Sequence, residues 1–214
     1  VDESGSTDLF TVVLNAQPTT DVVLSISSAD TGEATVTSSL TFTSSNWDTA
    51  KTVTVTGVDD NIIDGTQTST ITVSIIDGIS DNAFDAVADQ TVSVTTTDDD
   101  VAGFTIAETE GSTGVDESGS TDIFTIVLDT QPSSDVVLSI TSSDTGEATV
   151  ESLIQFTSAN WDTAQNVTVT GADDGIIDGT QTSTITVTVV DAITDDDFDA
   201  VADQTVSVTT TDDD

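Results

Sequence analysis

The stretch that decides the fold is "NIIDGTQTSTITV" at residues 61–73, which returns as "GIIDGTQTSTITV" at residues 175–187. In both places an Asp-Gly turn precedes Thr and Ser alternating with Ile and Val, which is the pattern of a strand with one buried face. Around this stretch, residues 1–100 and 115–214 align without a gap, and roughly three-quarters of the aligned positions are identical. Copies this similar are typical of neighbouring units in a repeat array.

Each copy contains several short runs of alternating apolar and hydroxyl residues. Turn signals separate these runs, and together they predict an all-β fold of two tandem antiparallel β-sandwich domains, 1–100 and 101–214. The segment "GFTIAE" at 103–108 predicts an opening strand for the second domain, and it has no counterpart before Val1. We therefore expect residue 1 to lie inside a repeat, with the strand supplied by a preceding stretch or a neighbouring chain. The strands of the first copy are predicted near 9–14, 21–27, 34–36, 39–43, 52–57, 68–76 and 91–97.

The charge of the chain excludes several classes of function. Forty acidic residues face one basic residue, giving a formal net charge of −39. Nucleic acids and anionic membranes require basic surfaces, and no apolar run approaches the length of a membrane span, so neither partner is expected. The chain has no His, Cys or Tyr, which removes most nucleophile–base pairs. Paired carboxylates alone could hydrolyse glycosides, but with few aromatic residues and no sign of a sugar cleft we predict that the protein is not an enzyme.

Four acidic elements recur at matching positions in the two copies. They are "VDES", "DTGEA", the turn "DDNIIDG" or "DDGIIDG", and the terminal "DDD". Clustered carboxylates repel one another unless a cation lies between them, and carboxylates without His or Cys suit calcium, with magnesium a weaker candidate. The alternative is that "DDD" is a solvated acidic linker, which explains the charge but not the recurrence of several clusters. EF-hand spacing and glycine-rich nonapeptide repeats are both absent.

The stretches "VDDNIIDGTQTSTITV" and "TVSVTTTDDDVAGFTI" resemble the Calx-β domain, known from sodium–calcium exchangers and from large bacterial surface proteins. The resemblance covers each copy nearly end to end. It implies an immunoglobulin-like sandwich that binds calcium at one end, next to the junction between domains. Carried onto matching positions, it implies these ligands: Glu3, Asp59, Asp60, the carbonyl of Ile62, Asp64, Asp98, Asp99 and Asp100, and in the second copy Glu117, Asp173, Asp174, the carbonyl of Ile176, Asp178, Asp212, Asp213 and Asp214.

The chain departs from the family pattern at a few positions. Gln67 and Gln181 stand where the family has a later acidic residue of the turn, and a neutral amide reduces the charge available to an ion. The family's middle-loop Asp has no clean match, and Asp30 or Glu33 could take its place. A further acidic run, Asp195–Asp197, could bind another cation or form a solvated face.

These features predict a calcium-binding structural repeat of a secreted or cell-surface bacterial protein, such as an adhesin, a matrix protein or a filament. Calcium at the junctions would turn a flexible chain into a stiff spacer. The expected partners are neighbouring repeats, or other copies of the chain joined in a fibre through open strand edges. The alternative is a calcium-dependent module that binds glycans or a cell surface. Ice binding by threonine-rich strands is a third hypothesis.

Overall fold

The computed structural model describes residues 1–173 and 175–214, and this part of the chain consists of β-strands, loops and short 3₁₀ turns. It divides into two compact units. The first comprises Val1–Asp60 and Asp64–Asp99, and the second comprises Asn61–Ile63 and Asp100–Asp214. No helix among the described residues is long and apolar enough to cross a membrane.

The first unit packs two sheets around one core. The strands are β1 (Thr7–Val12), β2 (Val22–Ser28), β3 (Ala34–Val36), β4 (Ser39–Phe42), β5 (Lys51–Gly57), β6 (Gln67–Ile75) and β7 (Gln90–Thr96). One sheet has the order β1-β5-β3 and the other has the order β4-β2-β6-β7. Two 3₁₀ turns, Asp77–Ile79 and Asn82–Phe84, lie between β6 and β7.

The second unit repeats this architecture with two additional strands. The strands are β8 (Phe104–Glu108), β9 (Thr113–Asp116), β10 (Thr121–Leu128), β11 (Val136–Ser142), β12 (Ala148–Val150), β13 (Leu153–Phe156), β14 (Gln165–Gly171), β15 (Gln181–Val189) and β16 (Gln204–Thr211). The sheets have the orders β12-β14-β10-β8 and β13-β11-β15-β16-β9, and among these described strands β9 and β16 pair in parallel while the other pairs are antiparallel. In the described part of this unit, 3₁₀ turns cover Thr109–Gly111, Asp191–Ile193 and Asp196–Phe198.

Alternation along the strands builds the core of each unit. In β6, Ile71 and Val73 are buried between exposed or half-buried Thr and Ser, and Ile185 and Val187 repeat the pattern in β15. β-Branched residues suit this half-buried surface, because their side chains pack well on a pleated sheet. The prediction of an all-β fold of antiparallel sandwiches is confirmed.

The two units differ at one edge. In the second unit β8 pairs with β10 and forms the edge of its sheet. In the first unit β1, the counterpart of β10, is itself the edge strand, and no described strand pairs with its outer side. The Val1–Asp2 segment is nevertheless in place, because Asp2 forms a parallel bridge with Thr97 just as β9 pairs with β16.

Candidate metal centre

The acidic elements of the first unit lie where several strands begin or end on the same side of the sandwich. Antiparallel pairing places the end of β5, at Gly57, beside the start of β3, at Ala34. It likewise places the start of β6, at Gln67, beside the end of β7, at Thr96. The residues that flank these four positions carry the carboxylates, so the topology gathers segments that are distant in sequence.

Glu3 reaches this end because the segment before it is fixed on both sides. The Glu3 N–H donates to the Thr97 carbonyl at 3.1 Å. On the other side, a Cβ on Gly57 would lie 1.9 Å from the Asp2 carbonyl oxygen, so only glycine allows the segment to pass this closely. Gly171 plays the same part against the Asp116 carbonyl oxygen, also at 1.9 Å, and thereby positions Glu117.

The aspartate run after β7 holds the acidic turn in place. Asp98 Oδ2 accepts hydrogen bonds from the N–H groups of Asp64 and Gly65, at 3.0 and 2.8 Å. In the second unit Asp212 Oδ2 accepts from the Gly179 N–H at 2.7 Å, and this bond lowers the pKa of Asp212. Two predicted ligand regions are therefore joined directly, which restricts the conformations of both.

The converging side chains form two overlapping groups of carboxylates in each copy. Within a group, one oxygen from each side chain lies within 4.8 Å of the others. One glutamate belongs to both groups of its copy: Glu3 in the first and Glu117 in the second. The groups are Glu3–Asp98–Asp100, Glu3–Glu33–Asp64, Glu117–Asp212–Asp214 and Glu117–Glu147–Asp178.

Burial makes the shared glutamate of the first copy costly to ionise. Glu3 is 1% exposed, and loss of solvation, followed by repulsion from Asp98 and Glu33, raises its pKa to about 7. Burial and then the charge of Asp64 raise the pKa of Glu33 as well. The Oε2 atoms of Glu3 and Glu33 are buried and have no hydrogen-bond partner among the described residues. These oxygens gain a compensating partner only if they are protonated or if a cation binds.

The only basic side chain of the protein cannot neutralise this cluster. Lys51 begins β5, whereas the carboxylates adjoin the end of that strand, about 20 Å away along an extended chain. The Lys51 ammonium donates to the Thr41 carbonyl and lies 5.0 Å from the centroid of the Phe42 ring. Because Lys51 is out of reach, protonation and a bound cation remain as the two ways of compensating the buried carboxylates.

The predicted ligands do not all converge. Asp60 is half-buried outside the groups, but its charge contributes to the raised pKa values of Glu3, Glu33 and Asp64. Ile62 and Ile176 could contribute only their main-chain carbonyls, because an isoleucine side chain has no atom that binds a metal ion; these side chains are 38% and 57% exposed. Asp174 lies outside the described residues. Glu3, Asp64, Asp98 and Asp100, with Glu117, Asp178, Asp212 and Asp214, belong to the groups, whereas Asp59, Asp99, Asp173 and Asp213 are exposed and do not.

Two further glutamates enter the groups without having been named in the predicted ligand set. The sequence left the choice between Asp30 and Glu33 open, and the structure brings Glu33 into a group while Asp30 is exposed. Glu147 occupies the matching place in the second copy and is 6% exposed. The available signal was position: Glu33 directly precedes the strand predicted at 34–36, and Glu147 directly precedes its counterpart at 148–150.

The acidic run Asp195–Asp197 lies outside the carboxylate groups and stabilises a loop instead. Asp195 is 3% exposed, and its carboxylate accepts hydrogen bonds from the Ser133 hydroxyl at 2.8 Å and the Ser134 N–H at 2.7 Å. Its other oxygen caps the 3₁₀ turn at Asp196–Phe198. Asp196 and Asp197 are exposed. Asp195 therefore anchors the loop that carries the buried Phe198.

The chain shows only distant similarity to known proteins. No family model matches it, and no curated protein matches it. Similar solved structures include domains 1–6 of the surface layer protein SbsC, at 18% identity over 89% of this chain and 20% of that chain (TM-score 0.40). The calcium binding domain CBD12 of CALX1.1 matches at 14% identity over 85% of this chain and 73% of that one (TM-score 0.36). An endo-fucoidan hydrolase from glycoside hydrolase family 107 matches at 14% identity over 89% and 23% (TM-score 0.30).

The chain thus spans about a fifth of the SbsC structure that it matches. Identities and TM-scores this low carry no argument about what this chain binds or does. The carboxylate groups themselves are the feature of this chain that points to a function.

Proposed function

We propose that each unit is a calcium-binding β-sandwich module of an extracellular structural protein. The observation that carries the proposal is the buried environment of the Glu3 carboxylate. This carboxylate is 1% exposed, its Oε2 has no hydrogen-bond partner among the described residues, and it belongs to two groups of carboxylates at once. A buried carboxylate in this position requires a proton or a cation, and outside a cell at neutral pH calcium is the abundant candidate.

The donor set favours calcium over other metals. Every member of the four groups is a carboxylate, and the chain contains no His or Cys to recruit zinc or copper. Calcium accepts six to eight oxygen ligands in flexible geometry, which suits glutamate and aspartate side chains from several loops better than the strict octahedron of magnesium. Because Glu3 and Glu117 each belong to two groups, each could bridge two neighbouring ions.

Calcium would act here as a structural crosslink. Glu3, Glu33, Asp64 and Asp98 come from four segments that are far apart in sequence, and one ion cluster would tie them together. It would also fix the segment that leaves β7, from which the chain continues into the next unit. Repeated along a chain of such units, this arrangement gives a spacer that is stiff in the millimolar calcium found outside cells, where modules of this kind bind with dissociation constants of about 10⁻⁴–10⁻³ M.

A calcium titration of the metal-free chain, followed by calorimetry and by thermal unfolding, tests the proposal. We expect saturable binding in each unit and a Tm that rises with calcium concentration, because ligands that bind only the folded state stabilise it. Magnesium at the same ionic strength is the control and should give a much smaller shift. An unchanged Tm between EDTA and 5–10 mM calcium (about five to ten times the weakest expected dissociation constant) would remove the calcium function.

A further inference from the structure

The outer edge of β1 is the largest difference between two otherwise similar units. In the second unit β8 pairs antiparallel with β10, from Phe124 opposite Glu108 to Leu128 opposite Phe104. In the first unit the matching strand β1 pairs with β5 on one side, and no described strand covers its other side. β10 also continues to Leu128, whereas β1 ends at Val12, two residues earlier in the alignment.

The apolar residues on this edge are buried in one unit and partly exposed in the other. Phe124, Ile126 and Leu128 are 0%, 0% and 2% exposed, while their counterparts Phe10, Val12 and Leu14 are only partly buried. The residue types are similar in the two copies, so the difference in burial comes from β8, which covers this edge in the second unit. Leu9 and Val13, on the other face of β1 and just beyond its end, are 61% and 46% exposed.

A groove of about 590 Å³ runs along this edge of the first unit. Its apolar lining includes Val12, Leu14, Leu24, Ile75, Phe84 and Val87. The matching residues of the second unit pack into its core, together with Phe104 of β8, which is 2% exposed. The second unit therefore shows what fills such a groove: the first aromatic side chain of an added strand.

Two polar side chains that bind the opening segment in the second unit, Gln204 and Asp122, have identical counterparts in the first unit. In the second unit the Gln204 side-chain amide donates to the Phe104 carbonyl, and Asp122 accepts from the Thr109 hydroxyl at 3.0 Å and the Gly114 N–H at 2.8 Å. The first unit has the same residue types at these positions. There Gln90 donates instead to the carbonyls of Ala88 and Asp89, at 3.0 and 3.3 Å. Asp8 accepts from the adjacent Leu9 N–H at 2.7 Å, as Asp122 does from the Ile123 N–H, but the bonds from an added segment have no counterpart among the described residues.

We propose that the outer edge of β1 is a docking site for an extended polypeptide segment with the chemistry of residues 101–114, "VAGFTIAETEGSTG". The segment adds an antiparallel strand to β1, places its Phe in the groove and places its Ile, two residues later, beside Val12. Main-chain hydrogen bonds supply affinity in this mode of recognition, and the pockets for alternate side chains supply specificity. The inference is independent of calcium binding, because the groove lies on the flank of the sandwich and contains none of the grouped carboxylates.

The test uses the full chain and a synthetic peptide of residues 101–114. We expect one peptide to bind per chain and to raise the Tm of the first unit, both in EDTA and in calcium. Because the peptide and the protein are both acidic, binding should strengthen as salt screens their repulsion. A peptide with Phe104→Ser should bind roughly 10- to 100-fold more weakly, which corresponds to the loss of one buried aromatic side chain.

A chain carrying a second copy of residues 101–114 fused before Val1 is the matched variant. It should unfold at a higher temperature and no longer bind the peptide, because the fused strand occupies the edge. Absence of binding at millimolar peptide, or binding that Phe104→Ser leaves unchanged, overturns the proposal. If the unmodified chain dimerises and the fused variant is monomeric, the occupant is a second copy of the chain and the proposed segment is wrong.

Discussion

Replacing Glu3 by glutamine is expected to change stability in opposite directions without and with calcium. Burial and the surrounding carboxylates raise the pKa of Glu3 from 4.5 to about 7. A raised folded-state pKa means that the folded protein holds this proton more tightly than the unfolded chain does. Ionised Glu3 therefore destabilises the fold, by an amount that grows as pH rises from about 4.5 to 7 and is fully present above pH 7.

The size of the effect follows from the pKa difference. A pKa raised from 4.5 to about 7 corresponds to about 3 kcal/mol of destabilisation at pH 8. Glutamine has nearly the same shape and no charge, so Glu3→Gln should recover this free energy in EDTA. For a unit of about 100 residues the Tm of the first unit should rise by roughly 10–20 °C. In calcium the same substitution removes a ligand shared by two groups and should raise the half-saturating calcium concentration roughly tenfold or more.

Calorimetry at pH 8, in EDTA and in calcium, measures both effects on one protein. Asp48→Asn is the matched control, since it removes the same charge from an exposed residue just before the start of β5, at the opposite end of that strand from the carboxylate groups. Its Tm should change little in either buffer. If Glu3→Gln lowers the Tm in EDTA, or leaves the half-saturating calcium concentration unchanged, then Glu3 is not a destabilising buried carboxylate that binds calcium.

Three further predictions follow from individual contacts. In EDTA the Tm of the unmodified chain should be higher at pH 5 than at pH 8, because the raised pKa values of Glu3, Glu33 and Asp64 mean that protonation stabilises the folded state. In calcium this difference in Tm should shrink or reverse. If Tm depends on pH in the same way in both buffers, protonation and calcium binding do not compete for these carboxylates. Gly57→Ala should destabilise the first unit by about 1–3 kcal/mol and weaken its calcium binding, since the new methyl group meets the Asp2 carbonyl, while Gly78→Ala, which meets nothing within 4 Å, should be close to neutral in denaturant unfolding. Asp81→Asn should lower the Tm, because the Asp81 carboxylate accepts bonds from three backbone N–H groups that also lower its pKa, whereas the exposed Asp77→Asn should not.

The strands were predictable wherever local alternation and local burial agree. The run predicted at 34–36 coincides with β3, and those at 68–76 and 91–97 differ from β6 and β7 by one residue at each end. β9 was not predicted. Its sequence, "TGVD", contains Gly and Asp and has little strand propensity, and it is extended because it pairs in parallel with β16 about 100 residues later. Tertiary contacts of this kind leave no local pattern.

The acidic site was likewise predictable in part from local sequence. That the acidic elements would meet could be inferred from their positions at strand ends, but which side chains turn inward could not be read from composition. Asp98 and Asp100 enter a group and Asp99 does not, and Asp212, Asp213 and Asp214 repeat this choice. The two-residue period of the preceding strand continues through the run, so alternation carried past the strand end is the signal that would have placed Asp99 and Asp213 outside the carboxylate groups.

The parallel pair of β9 and β16 determines how the second unit responds to a pulling force. β9 lies near the start of the unit and β16 at its end, and both run in the same direction over four paired residues. Tension applied to the two ends of the unit would therefore slide these strands past each other, loading their evenly spaced hydrogen bonds together instead of opening them one at a time. Unzipping a hairpin from its end needs little force, whereas shearing such a pair requires several bonds to break at once, so we expect this pairing to resist tension applied along the unit.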